Sequence, residues 1–218
     1  MDFIKDPRFL YNIPQFLSPK DCDHIQEYIH FIEGDILKGV DPKENDYSGL
    51  TNRHGSYNFF EQVDRDLDIP LPTLIRDLVY DFFPNEDTDE IWVKSWANKL
   101  YEGEHLPLHY HGVDFETDPH TFISGNIFLS NNKYDWYTHY ATYGNIINEQ
   151  GTLSLISSYL EHGVPHNPVP YHRYSTAFDV WFTKPEDEDI THMTYWNKHA
   201  TFGGKTHFIQ PKDLKNNE

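Results

Sequence analysis

TLSLISSYLEHGVPHNPVPYHRYSTAFDVWF, residues 152–182, separates the β part of the chain from its helical part by its texture. Two runs rich in Leu, Ile, Tyr, Thr and Phe flank a middle punctuated by Gly163, Pro165, Pro168 and Pro170. Short runs bounded by Gly, Pro and Asn have the texture of strands joined by turns. The same texture begins after residue 90 and predicts strands at 91–102, 106–111, 121–130, 134–142, 152–159 and 172–183. Upstream the pattern is helical. Ser18-Pro19 reads as an N-cap followed by proline at the first helical position. Ile25, Tyr28, Ile29 and Ile32 follow at helical spacing, and Gly34 is expected to end the helix. A second helix is expected from about Pro72 to Phe83, with Leu74, Ile75, Leu78, Val79 and Phe82 on one face. The polar stretch 39–70 reads as a loop. Helices first and then a run of strands predict a mainly β fold with flanking helices, an antiparallel sandwich or barrel.

Composition sets bounds on function. The 218 residues suit a single domain: a helical part to about residue 90, a β core over about 91–184 and an extension over 185–218. Mean hydropathy is low at -0.71. Aromatics nevertheless reach 16%, so the expected core is aromatic-rich. The net charge of -18 argues against duplex nucleic acid as a partner, because phosphate binding needs a basic surface. No apolar run approaches a membrane span, and no signal-peptide pattern opens the chain. One cysteine, Cys22, excludes an internal disulfide framework and is expected as a small buried side chain. These features together predict a cytoplasmic protein. The aromatic patch TYWNKHATF at 194–202 either docks a partner or packs on the barrel, and oligomeric state is open.

Chemistry concentrates in HYHGVD, residues 109–114. Residues i and i+2 of a strand share a face, so His109 and His111 project together. Alone, such a pair more often marks polar surface residues. A metal site needs a third ligand, and Asp114 or His162 could supply it. Arg173 and Ser175 form another same-face pair. An arginine aimed into a barrel is costly unless an anion meets it. A guanidinium takes a carboxylate bidentately, and a neighbouring hydroxyl adds a further hydrogen bond.

In order, WANxxxEG, HxH, SGxxFL, EQGxLxLxxSxLEHGVP and RYSTAFDVWF resemble the iron(II)- and 2-oxoglutarate-dependent oxygenases. The similarity is to their prolyl-hydroxylase-like branch of bacteria and phages, and it spans roughly residues 10 to 183. It implies a double-stranded β-helix, a jelly-roll or cupin-like barrel. It implies that His109 and His162 bind iron(II). Arg173 and Ser175 would bind the far carboxylate of 2-oxoglutarate, with Asn98 a further cosubstrate contact and no catalytic side chain beyond the metal site. Trp96 and Trp181 would line the barrel. His111 stands where the family has aspartate, so either His111 or Asp114 completes the triad, with a lean to His111. The segment GVDFETDPHTFI after it is long for this group and carries Asp114, Glu116, Asp118 and His120. His105, His120, His166 and His172 are expected at the rim or behind the ligands.

The activity so implied is a dioxygenase that consumes 2-oxoglutarate and O2, releases succinate and CO2, and hydroxylates a small molecule or a prolyl or other peptidyl residue. Two competing readings are a cupin-type metalloenzyme without 2-oxoglutarate and a non-enzymatic jelly-roll binding module.

Overall fold

The computed structural model describes residues 9–38, 50–51, 58–83, 90–111, 123–182 and 194–197. Strand β1 (Leu10–Ile13) leads into three helices: α1 (Pro19–Leu37), α2 (Phe59–Leu67) and α3 (Leu71–Phe82). The β core follows as β2 (Glu90–Leu100), β3 (Leu106–His109), β4 (Ile123–Phe128), β5 (Tyr137–Tyr140), β6 (Gly144–Ile147), β7 (Leu153–Ser157), β8 (His162–Val164) and β9 (Arg173–Trp181). A last strand, β10 (Thr194–Asn197), comes from the C-terminal extension. Two sheets form, a larger one in the order β1-β7-β4-β9-β2-β10 and a smaller one in the order β3-β8-β5-β6, with every recorded pairing antiparallel. This is the predicted jelly roll.

Strand alternation explains the layering. On one face of the larger sheet, Ile91, Val93 and Ala97 of β2, Ile123 and Ile127 of β4, Leu153 and Leu155 of β7, and Phe178 and Val180 of β9 join one buried core. The helices cover that face with Ile25, Ile29 and Ile32 of α1, Phe59, Phe60 and Val63 of α2, and Ile75 and Val79 of α3. Each buried Val, Leu, Ile or Phe among them contributes about 1.5–3 kcal/mol by leaving water. The opposite parity, which includes Lys94, Trp96, Asn98, Ser124, Ser175, Asp179 and Trp181, lines a cavity between the sheets.

Several expectations need correction. Gly34 does not end α1, which runs on to Leu37. A helical glycine costs only about 1 kcal/mol relative to alanine, and Ile36 beyond it packs against the core. The loop expected over 39–70 contains α2, whose polar sequence hides a short apolar face of fully buried Phe59, Phe60 and Val63. Residues 39–49 and 52–57 lie outside the described residues. The strand expected at 134–142 shortens to β5, while β6 and β8 were not expected. Part of the aromatic patch packs on the barrel: β10 pairs with β2, and Trp196 is buried in the core beside the helices. Cys22 is fully buried as expected.

One ion pair is built into the helix–sheet layer. Lys99 is 1% exposed, and its ammonium donates to Glu33 of α1 at 2.5 Å. The other Glu33 oxygen accepts from the Tyr101 hydroxyl at 2.6 Å. No described helix is long and apolar enough to cross a membrane.

Candidate metal centre

His109 ends β3 and His162 opens β8, and the two are direct partners in the β3–β8 ladder. The approach is close because β8 continues with Gly163. A Cβ there would sit 3.0 Å from the Leu106 carbonyl oxygen and 3.1 Å from the Leu108 nitrogen. His111 lies just past β3, where its backbone N–H donates to the Ser158 carbonyl at 2.8 Å. One possible ligand atom from each of the three imidazoles falls within 4.8 Å of the others. Ring centroids are 4.6 Å apart for His109–His162, 5.1 Å for His109–His111 and 5.2 Å for His111–His162.

The Nδ1 hydrogen bonds orient the three rings and set their tautomers. His109 Nδ1 is 2.8 Å from the Pro107 carbonyl oxygen, and His162 Nδ1 is 2.9 Å from that of Leu160. A carbonyl oxygen only accepts, so each Nδ1 carries the proton and each Nε2 keeps a bare lone pair. His111 Nδ1 is 2.7 Å from Asp179 Oδ1, which imposes the same tautomer. Three imidazoles thus offer Nε2, each anchored through Nδ1, as metal-ligating histidines are.

Burial favours the neutral, ligating form. It pushes the His162 pKa down to about 3, with His109 and His111 adding to the effect. Burial also lowers that of His109, with a smaller contribution from His111. At His111 burial again opposes charge, but the Asp179 carboxylate outweighs it and raises the value. The donor set is three imidazole nitrogens on one side of a cavity, with His111 giving up its extra proton when it ligates, which suits a divalent iron-group ion and leaves other coordination positions open.

The cavity has a volume of about 420 Å³ and also contains Arg173, Ser175 and Asn98. Arg173 is 4% exposed. Its one recorded side-chain hydrogen bond runs from Nη2 to Thr138 Oγ1 at 3.3 Å, and no carboxylate pairs with it among the described residues. Burial lowers its pKa to about 10, while Tyr140 works the other way. The guanidinium therefore stays charged at neutral pH, with no counter-ion among the described residues. Ser175 directly faces Asn98 across the β9–β2 ladder and accepts from Asn98 Nδ2 at 3.3 Å. Trp96 and Trp181 line the cavity as expected.

Other expected residues fall elsewhere. His105 and His166 pack as a tilted pair with centroids 4.1 Å apart, and His172 packs against Tyr101, but none of the three lines the cavity. Asp114, Glu116, Asp118 and His120 lie outside the described residues. Sequence reasoning missed Asp179, Thr138 and Tyr140. Asp179 had a usable signal, since it shares strand parity with Arg173 and Ser175.

No family model matches this chain, and no curated protein sequence does either. Solved structures do match. The viral collagen prolyl hydroxylase of Paramecium bursaria Chlorella virus-1, in its 2-oxoglutarate complex, superposes with a TM-score of 0.54 at 16% identity, over 81% of this chain and 97% of that one. This chain has the fold of the iron(II)- and 2-oxoglutarate-dependent oxygenases. EvdO2 from Micromonospora carbonacea var. aurantiaca, complexed with 2-oxoglutarate, gives 0.60 at 13% identity, over 84% of this chain and 90% of that one. HygX from Streptomyces hygroscopicus, with nickel and 2-oxoglutarate bound, gives 0.54 at 11% identity, over 83% and 85%.

Proposed function

We propose that the protein is an iron(II)- and 2-oxoglutarate-dependent dioxygenase that hydroxylates a C–H bond of its substrate. The observation that carries this reading is one cavity holding three convergent imidazoles together with a buried arginine that lacks an anionic partner among the described residues. Bound iron(II) supplies the oxygen activation that couples conversion of 2-oxoglutarate and O2 into succinate and CO2 to substrate oxidation. His109, His111 and His162 hold the ion through Nε2. Arg173 receives the far carboxylate of 2-oxoglutarate, and Ser175, oriented by Asn98, adds a hydroxyl beside it. The aromatic walls, Trp96 and Trp181, restrict water around the reacting groups.

The cupin-type reading, with metal but no 2-oxoglutarate, leaves the Arg173 charge without a purpose, and burying such a charge is costly. The binding-module reading leaves the three matched tautomers unexplained. The decisive assay measures iron-dependent succinate formation from 2-oxoglutarate and 2-oxoglutarate binding to the Arg173→Ala variant. Absence of turnover, together with undiminished 2-oxoglutarate binding by that variant, sinks the proposal. Paired variants decide the third ligand: His111→Ala is expected to lose iron binding and Asp114→Ala to retain it.

A prolyl hydroxylase and a protein crystallised with hygromycin B are both among the fold neighbours. Peptidyl and small-molecule C–H donors therefore belong in the same substrate screen, scored by excess succinate over the uncoupled reaction.

A further inference from the structure

We infer that Asp179 is a positioning residue that supplies, one hydrogen bond behind the metal, the negative charge that a three-histidine site lacks among its ligands. The inference rests on the oxygenase reading above and deepens it. Two of the three imidazoles are anchored by neutral backbone carbonyls, those of Pro107 and Leu160. His111 alone is anchored by a carboxylate, with Nδ1 at 2.7 Å from Asp179 Oδ1. That oxygen also accepts from Ser124 Oγ at 2.6 Å, and Ser124 Oγ lies 3.1 Å from His111 Nδ1. Asp179 is 5% exposed and Ser124 is 2% exposed, so water does not dilute the contact.

The fold fixes this arrangement. Asp179 on β9 is the direct ladder partner of Ser124 on β4 and of Lys94 on β2, so the three residues form one row across the sheet. Lys94 lines the same cavity but makes no ion pair with Asp179. The carboxylate is thus committed to His111 on one side and steadied by Ser124.

The chemical consequence follows from the bond direction. A carboxylate accepting the Nδ1 proton draws it away from the ring and pushes electron density onto Nε2, the atom facing the ion. A neutral carbonyl does this far less. His111 would therefore be the most strongly donating of the three nitrogens, with the site's carboxylate behind it rather than on the ion.

The test uses the full-length chain and reads metal binding rather than turnover. Iron(II) affinity is measured anaerobically by chelator competition. Cobalt(II) is then used as a spectroscopic probe of ligand field, with folding checked by circular dichroism. Asp179→Asn keeps size and shape and removes the charge. It is expected to weaken iron(II) binding by about 10- to 100-fold, the range typical of losing a ligand's outer partner, and to shift the cobalt(II) absorption bands. Asp179→Glu should recover part of both effects, and Ser124→Ala, which keeps the carboxylate, should change affinity only a few-fold. A folded Asp179→Asn variant with wild-type affinity and unshifted bands overturns the inference. If Asp179→Asn fails to fold, Asp179→Glu decides: its bands must move from the wild-type position, and unmoved bands with unchanged affinity overturn it. No metal binding by the wild-type chain is a separate outcome, and it removes the oxygenase reading as well.

Discussion

His109 and His162 face each other as direct partners across the β3–β8 ladder, although they belong to segments far apart in sequence. Backbone pairing fixes the separation of their Cα atoms, and the Nδ1 contacts to Pro107 and Leu160 hold both rings in the cavity. Replacing either by alanine is expected to weaken iron(II) or cobalt(II) binding by more than roughly 100-fold, beyond what loss of an outer partner costs. Titration of the purified variants checks this. Wild-type affinity in His162→Ala would remove the triad from consideration.

Arg173 carries an opposite expectation for stability and function. Among the described residues its buried charge meets one neutral hydrogen-bond partner, Thr138, so without ligand it costs folding energy. Arg173→Met should leave the ligand-free protein as stable as wild type or more stable by about 1–4 kcal/mol, as when other buried charges give way to apolar side chains. The same variant should lose the rise in melting temperature that 2-oxoglutarate gives the wild type. Chemical denaturation and thermal shift measure the two effects separately. A variant that is markedly less stable and still responds to 2-oxoglutarate contradicts the anion-site assignment.

The metal-free protein should become less stable as pH falls below neutrality. His162 and His109 have folded pKa values lowered chiefly by burial, that of His162 to about 3. In the unfolded chain both sit near the ordinary value of about 6.5, so there the unfolded state binds more protons. Between about pH 6 and 4 His162 alone should remove about 1.4 kcal/mol per pH unit. His111 has the opposite sign: its raised pKa gives stability that is complete below the unfolded value and fades as pH rises through the folded one. Urea denaturation across this range, compared between wild type and His162→Gln, isolates the His162 contribution. Parallel slopes would refute it.

Glu33 and Lys99 lock α1 onto β2 through a pair almost sealed from water. Glu33→Ala leaves the Lys99 ammonium buried without its carboxylate and should cost about 3–5 kcal/mol. The double variant Glu33→Met, Lys99→Met should recover most of that loss. Equilibrium unfolding of the three proteins tests it, and a nearly silent Glu33→Ala would show that the pair does not hold the layer together.

Elements whose signals are local can be read from the chain without the fold. Strand parity in residues 91–182 separates cavity-facing Asn98, Arg173 and Ser175 from core-facing Ala97 and Phe178, because alternation is a property of each strand alone. Ser18 and Pro19 mark the start of α1 for the same reason. Helix α2 was not legible, because its apolar face is only a few residues wide and its polar ones dominate any window. Strands β8 and β10 were too short to announce themselves, and only pairing with β3, β5 and β2 makes them strands.

The site itself depends on contacts between distant segments. The ladder register sets His162 against His109, and the end of β3 brings His111 to Asp179 of β9. It also places Arg173 in the same cavity, with no acid paired to it among the described residues. Contacts between distant segments depend on how strands slide and pair, and a one-residue slip would turn each of these side chains to the other face. The sequence therefore names the groups that can bind metal and anion, while sheet register decides that they meet in one cavity and that His111 is backed by a carboxylate.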